Sequence, residues 1–296
     1  MSWNPLNTKI GLALGGGAAK GIAHIGVIKC LEEDNIEISY VSGTSIGSLV
    51  AAFYAFDKTI EDMISISETL SISRVTSFTL RKRGFFTTES IRDLVIKELG
   101  HVNIEDAKIP LAILAADITT GEEIIFRHGS LADAVCASIA VPGVYVPVEL
   151  QGRLLVDGGI VENVPISPLK KMGAGTIIAV DLNGINRYRY PKDIMDVMGN
   201  AFDIAIDLRT RDQIKSADLA ISMDLSRFSR VDNSKRVQEL MNVGYFATKN
   251  KIPKLFLYQK TKIFQLIKKI IIQTIPLKIP IFISKYFKNK IKAVLQ

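Results

Sequence analysis

Leu12-Ala13-Leu14-Gly15-Gly16-Gly17-Ala18-Ala19-Lys20-Gly21, followed further along by Gly43-Thr44-Ser45-Ile46-Gly47, is the stretch on which the reading of this chain turns. A glycine run after an apolar strand exposes several backbone N–H groups with no side chains over them, which suits a developing negative charge. In the G-x-S-x-G pattern, glycines two before and two after a serine leave room for a tight strand-to-helix turn that presents the hydroxyl. Either motif alone is weak evidence. In this order they read as an oxyanion hole followed by a serine nucleophile, and they point to acyl transfer.

The flanking sequence has the periodicity such motifs need. Ile10 to Leu14 predicts a short strand, and Ala19 to Glu33 a helix with apolar residues at Ile22, Ile25, Val27, Ile28 and Leu31. Ile38 to Val41 predicts a second strand and Ile46 to Phe56 a second, alanine-rich helix. Two strand-turn-helix units in succession imply an α/β fold built on a parallel sheet with right-handed crossovers. Asp57 to Gly100 is more polar and predicts helices with a surface loop around Arg81-Lys82-Arg83-Gly84-Phe85-Phe86. Strands are expected at Pro110 to Asp117, Glu123 to Phe126, Val144 to Val148, Arg153 to Val156, Gly175 to Asp181 and Leu219 to Met223. Helices are expected at Leu131 to Ile139, Asp193 to Ile214 and Asn233 to Lys249.

Composition narrows the class. The chain has 296 residues, 48% hydrophobic and 23% charged, enough for a sizeable core and unlike a disordered protein. Cys30 and Cys136 are too few for a disulfide framework and too scattered for a zinc site, so a reducing, cytosolic setting is the expectation. Ile10 to Ala19 lacks a basic leader and contains the glycine motif, which argues against a signal peptide. No stretch reaches the roughly 18 to 20 apolar residues of a membrane span. The net charge of +7 is unevenly placed: twelve lysines lie between Lys249 and Lys292 with no acid or arginine among them, and without them +7 becomes −5.

A serine nucleophile needs a base. The histidines are His24, His101 and His128. His24 falls inside the helix after the glycine loop, where a helical surface or core position explains it. His128 follows Ser45 and Asp117, so the order Ser, Asp, His is formally available, but at least three strand-like segments follow it, and α/β-hydrolases place their histidine beyond the last strands. The alternative is a carboxylate. Asp157 follows the apolar Leu154-Leu155-Val156 and precedes Gly158-Gly159, a setting that presents a carboxylate at the end of a strand, although a plain turn has the same sequence.

Gly15 to Gly21, Gly43 to Gly47, Ala137-Ser138-Ile139-Ala140-Val141-Pro142-Gly143 and Asp157-Gly158-Gly159 together resemble the patatin-like phospholipase family, especially bacterial members related to neuropathy target esterase. The resemblance covers residues 9 to 182 well and loosely the rest to 248. It implies a three-layer α/β sandwich with a central, mostly parallel sheet and helices on both faces. It also implies Ser45 as nucleophile, Asp157 as its dyad partner and the amides of Gly15, Gly16, Gly17 and Ala18 as oxyanion hole, with Gly21, Gly43, Gly47, Gly158 and Gly159 as motif glycines. The substrates it implies are lipid acyl esters, cleaved as a phospholipase A or lysophospholipase would, with no metal and no cofactor. The family pattern has a fourth glycine where this chain has Ala18, and often Arg where it has Lys20; alanine narrows the backbone angles open to that amide. A lipid-surface regulator or scaffold of the same fold is the competing reading, against which the intact Ser45, Asp157 and glycine loop argue.

The glycine loop also fits a dinucleotide site in outline, with Glu37 about 20 residues on. Glu37 precedes the second strand instead of ending it, and Lys20 is followed by Gly21 and not by the Ser or Thr of a phosphate-binding loop. Residues 9–248 are therefore expected to be the acyl hydrolase domain and 249–296 a basic amphipathic extension. In that extension Ile263, Leu266, Ile267, Ile270 and Ile271 share one helical face, opposite Lys262, Gln265, Lys269 and Gln273, until Pro276 and Pro280 break the helix. Such a segment suits peripheral contact with an anionic membrane, such as the inner face of a cell membrane, or packing on the body. Nothing in the sequence forms a nucleic-acid motif.

Overall fold

β1 (Ile10–Leu14) runs into the glycine loop, a 3-10 turn (Ala18–Ile22) and helix α1 (Ala23–Glu33). β2 (Ile38–Thr44) leads directly into α2 (Ile46–Ala55), with only Ser45 between them. There follow α3 (Ile60–Thr69), an antiparallel hairpin of β3 (Ser77–Arg81) and β4 (Gly84–Thr87), and α4 (Glu89–Leu99). β5 (Leu111–Asp117), β6 (Glu123–Phe126), α5 (Leu131–Ile139), β7 (Val148–Leu150) and β8 (Arg153–Asp157) form the middle of the chain. α6 (Gly159–Glu162), α7 (Ile166–Met172), β9 (Thr176–Asp181), α8 (Ile194–Gln213), β10 (Leu219–Ser222) and α9 (Val237–Lys249) complete it. This computed structural model describes residues 9–69, 77–81, 84–184, 188, 190–192, 194–231 and 233–255. The amphipathic pattern of residues 263–273 lies outside them.

The main sheet has the order β10-β9-β1-β2-β5-β8-β7, with β6 also paired to β5. β10, β9, β1, β2 and β5 are mutually parallel, whereas β6, β7 and β8 join antiparallel. Alternation along the strands gives the sheet two apolar faces. Leu12, Leu14, Ile178 and Val180 pack into one cluster with Ile25 and Val27 of α1, Leu49 of α2 and Leu240 of α9. Ala13, Ile177 and Ala179 pack on the other side with Ile166 and Leu169 of α7. The result is the expected three-layer sandwich around a mostly parallel sheet.

Topology then fixes where chemistry can occur. From β1 the chain moves to β2 on one side, and much later to β9 on the other, so β1 lies at a switch point, where a crevice opens beyond the strand ends. The glycine loop lies at that opening. Register does the rest: Thr44 pairs with Leu114, and the next residue of β5, Ala115, pairs with Asp157. Ser45 and Asp157 therefore stand at the same level on either side of β5.

Three local expectations are revised. The segment after the glycine loop begins as a 3-10 turn and becomes α-helical only at Ala23, because Gly21 is pressed against Ile46 and the chain must turn tightly there. Val144 to Val148 is not a continuous strand: the amides of Val144 and Tyr145 both bond the Val141 carbonyl, closing a turn over Pro142 and Gly143, Tyr145 makes an isolated parallel bridge to Phe86, and β7 starts only at Val148. The expected surface loop near Arg81 is spanned by the β3-β4 hairpin. The body also continues past Lys249, since Ile252 and Leu255 are buried in the main cluster, and residues Asn7–Leu255 form one compact unit.

Candidate active site

Ser45 occupies the single position between β2 and α2 and takes φ 55° and ψ −130°, a left-handed conformation that a serine adopts only under constraint. Its neighbours supply the constraint. The Ser45 N–H donates to Ser138 Oγ at 2.9 Å, and Ser138 Oγ in turn donates to the Leu114 carbonyl at 2.6 Å. The Ser45 carbonyl accepts from the Ser48 N–H at 2.9 Å and Ser48 Oγ at 2.6 Å. Gly47 is obligatory here, because a Cβ on it would collide with the Leu14 carbonyl at the end of β1. The elbow thereby sits at the amino end of α2, whose unpaired amides and dipole favour negative charge.

Asp157 ends β8 and is 4% exposed. Its Oδ1 accepts the Gly159 N–H at 2.8 Å, and its own N–H donates to the Ala140 carbonyl at 2.9 Å. Burial pushes its carboxyl up to about 6, against smaller opposing effects from the Ser45 hydroxyl, which interacts with it, and from the Gly159 amide. Gly158 allows this placement, since a Cβ there would run into the Leu114 carbonyl as the chain crosses β5. The stretch from Ser138 to Ala140 thus braces both groups at once, Ser138 holding the serine backbone and Ala140 the aspartate backbone. That role was not legible beforehand, although the residues stand in one of the four motif blocks.

The glycine loop divides its amides between two tasks. The Gly15 N–H donates to the Val180 carbonyl at 3.0 Å and the Gly16 N–H to the Asn163 carbonyl at 3.2 Å. These two donors, expected to face an oxyanion, are instead committed to anchoring the loop. The Ala19 N–H is bonded to the Arg230 carbonyl at 3.1 Å and the Lys20 N–H to the Gly17 carbonyl at 3.3 Å. Among the described residues, no protein partner takes the Gly17 or Ala18 amide. Ala18 has φ 53°, so its methyl is carried in the conformation where the usual glycine would be at ease.

His24 lies beneath this loop, fully buried, with Nε2 2.8 Å from the Gly15 carbonyl. Burial pulls its pKa down to about 4, so the ring is neutral and carries its proton on Nε2 as the donor to Gly15. The Gly15–Gly16 peptide is thus held at its oxygen by His24 and at its N–H by Asn163. His101 and His128 are exposed, and no histidine lines the cavity described next.

A cavity of about 430 Å³ opens onto Ser45, Asp157, Asn163 and residues 16–21. One part of its wall is apolar, with Leu49, Phe53, Met63, Ile66 and Ile91 among its residues; the last three come from the segment 57–100, whose role the sequence left open. Another part is polar: Lys20 Nζ donates to Asn183 Oδ1 at 3.2 Å, and Arg230 pairs with Asp203. Among the described residues, no group of three or more His, Cys, Asp or Glu side chains is arranged to hold a metal ion. A strained serine, a buried carboxylate beside it, unpaired amides on the adjoining loop and an apolar slot can together carry out nucleophilic attack on an ester.

The fold and the site define a class of α/β proteins, and comparison with known sequences gives its family. The model of the patatin-like phospholipase family matches residues 12–170, and the chain belongs to that family. An uncharacterized NTE family protein of Mycobacterium bovis is 38% identical over 179 residues, covering 60% of this chain and 49% of that protein. The lysophospholipase NTE1 of Candida glabrata is 35% identical over 186 residues, 60% of this chain but 11% of that protein. The chain therefore spans about half, or far less, of the relatives it matches. Among solved structures, VipD from Legionella pneumophila has the same fold, with a TM-score of 0.56 at 14% identity over 84% of this chain and 67% of that one.

Proposed function

We propose that the protein is a serine acyl hydrolase acting on lipid esters through a Ser45–Asp157 dyad. The observation that carries this reading is the pairing of an elbow serine with a buried aspartate at the wall of an apolar cavity that no histidine lines. Asp157 accepts the hydroxyl proton as Ser45 Oγ attacks the ester carbonyl. Its raised proton affinity makes it a better base than an ordinary carboxylate near neutrality. The Gly17 and Ala18 amides stabilise the tetrahedral oxyanion, while the anchored Gly15 and Gly16 keep them in place. Protonated Asp157 then gives its proton to the departing alcohol, leaving an acyl-enzyme. Water attacks that ester with Asp157 again as base, and the fatty acid is released.

The cavity is near the small end of the roughly 300–1,000 Å³ usual for ligand pockets, which favours one acyl chain and hence a lysophospholipid or other monoacyl ester. The relative named a lysophospholipase supports the same choice. The lysine-rich sequence ahead of Lys292 supports peripheral contact with anionic lipid, argued from its charge. The test is labelling with a fluorophosphonate probe, together with hydrolysis of phospholipids, lysophospholipids and triacylglycerols by the purified protein. Ser45→Ala is expected to abolish labelling and turnover, and Asp157→Asn to abolish turnover. Full activity in either variant refutes the dyad, and absence of any turnover by the native protein favours the scaffold reading.

A further inference from the structure

Helix α8 presents an apolar stripe to solvent. Ile194, Val197, Met198, Ile204 and Leu208 are each 40% to 73% exposed, and the exposed Ala201 and Ala205 fill the steps between them. The spacing of three and four residues makes this one face of the helix, about 21 Å long from Ile194 to Leu208. An exposed apolar patch of this kind marks an interaction surface. The neighbouring face of the same helix belongs to the cavity: Phe202 and Ile206 line it, and Met198 belongs to both stripe and cavity wall. Val231, 56% exposed, also lines the cavity, next to Arg230 of its polar part, and Tyr190 is almost fully exposed ahead of the helix.

Charge is sorted in the same way. Among the described residues from Lys192 to Lys215, Asp193 lying outside them, the exposed charged side chains are Lys192, Arg209, Arg211 and Lys215 against Asp196 and Asp212, a positive excess of two. The other two acids of the helix are turned away from the stripe: Asp207 is buried and accepts a hydrogen bond from Tyr188, and Asp203 pairs with Arg230. An apolar face bordered by a net positive charge is complementary to an anionic lipid surface.

We infer that the exposed face of α8 is the surface by which this protein docks on a lipid aggregate, bringing the cavity opening against the lipid so that substrate passes from the aggregate into the site. The inference rests on the lipid-ester reading above. A lipid surface fits better than a second copy of the chain, because a copy seated on the stripe would crowd the opening through which substrate enters. It makes α8 both docking surface and cavity wall.

The experiment uses the full chain and vesicles of phosphatidylcholine with and without phosphatidylglycerol. Ile204→Gln/Leu208→Gln alters two stripe residues that do not line the cavity. Partition onto anionic vesicles should weaken roughly a hundredfold, the equivalent of about 3 kcal/mol for two large aliphatic side chains kept in water. Hydrolysis of vesicle-borne lipid should fall in step, while a soluble short-chain ester is cleaved at the native rate. Leu208→Trp, which keeps the stripe apolar, should shift its indole emission to the blue on the same vesicles. Native-like partition of the double variant, an unshifted emission spectrum from Leu208→Trp, or no vesicle binding by the native chain overturns the inference. A native dimer that the double variant converts to monomer also overturns it, assigning the stripe to self-association. Ser45→Ala separates the two readings: it should bind vesicles normally and cleave neither substrate, and cleavage of the soluble ester by it would sink the site reading alone.

Discussion

Replacing Asp157 by Asn should make the protein more stable at neutral pH as it destroys activity. The folded state holds a proton on Asp157 more tightly than the unfolded chain does, since burial raises the carboxyl from 3.8 to about 6. The folded state therefore binds more protons than the unfolded between those two values, and stability falls as pH rises through that window, levelling off above it. Two units correspond to about 3 kcal/mol, a cost of keeping a carboxylate in a dry site. Asparagine avoids that charge while its oxygen can still accept the Gly159 N–H. Compared with the native protein, Asp157→Asn should match it near pH 4 and gain about 3 kcal/mol by about pH 7.5, or roughly 6 to 12 °C in melting temperature for a domain of this size. Urea or thermal unfolding across the pH range measures both arms. In the native enzyme, kcat/KM for a soluble ester should climb about tenfold per pH unit below about 6 and then flatten, as the base loses its proton. A variant no more stable than the native protein at neutral pH, or a gain that does not change with pH, would refute the claim that Asp157 is a strained, desolvated base.

Substitutions at three other residues probe the supports of the site and the edge of the folded body. His24→Leu removes the donor to the Gly15 carbonyl; kcat should fall by roughly one to two orders of magnitude with KM little changed, and His24→Gln, which can remake the bond, should recover most of it. Steady-state kinetics on a soluble ester decide this, and equal kcat for the leucine variant contradicts it. Gly158→Ala drives a methyl into the Leu114 carbonyl and should lower stability by about 1 to 3 kcal/mol, read by denaturant unfolding. Leu255→Ala should cost about 2 to 5 kcal/mol, because Leu255 is 1% exposed in the main core; a change near zero would place the boundary of the folded body earlier, near Lys249.

The parallel half of the sheet and the elbow were legible because their signals are local. A glycine two residues either side of Ser45, between an apolar strand and an alanine-rich helix, leaves the backbone little choice. Asp157 was located by its strand and its two glycines, but its closeness to Ser45 comes from register across β5, which sequence does not display. The same limit explains the glycine loop. Which of four consecutive amides are unpaired depends on the carbonyls of Val180 and Asn163, both more than 140 residues away in the chain. Ser138 and His24 escaped for a related reason: their importance lies in the backbone atoms they hold. The segment at Val144 reads as a strand because β-branched and aromatic residues favour strands, and Pro142-Gly143 overrides that with a turn; the hairpin near Arg81 reads as a loop because the basic run Arg81-Lys82-Arg83 looks solvated, and strand pairing decides otherwise.

The pairing of α1 with α9 sets a timetable for synthesis. α1 packs against α9, Tyr245 donates to Glu33 at 2.6 Å, and Lys249 reaches Asp34 at 2.7 Å, across more than 200 residues of chain. At a translation rate of about 5 to 20 residues per second, α1 leaves the ribosome roughly 10 to 40 s before its partner helix exists. During that interval part of its apolar surface has no native cover, and the layer it belongs to cannot close until Leu255 is available. Folding of this body is therefore completed by its last elements, and until they arrive the newborn chain exposes apolar surface that the finished body covers.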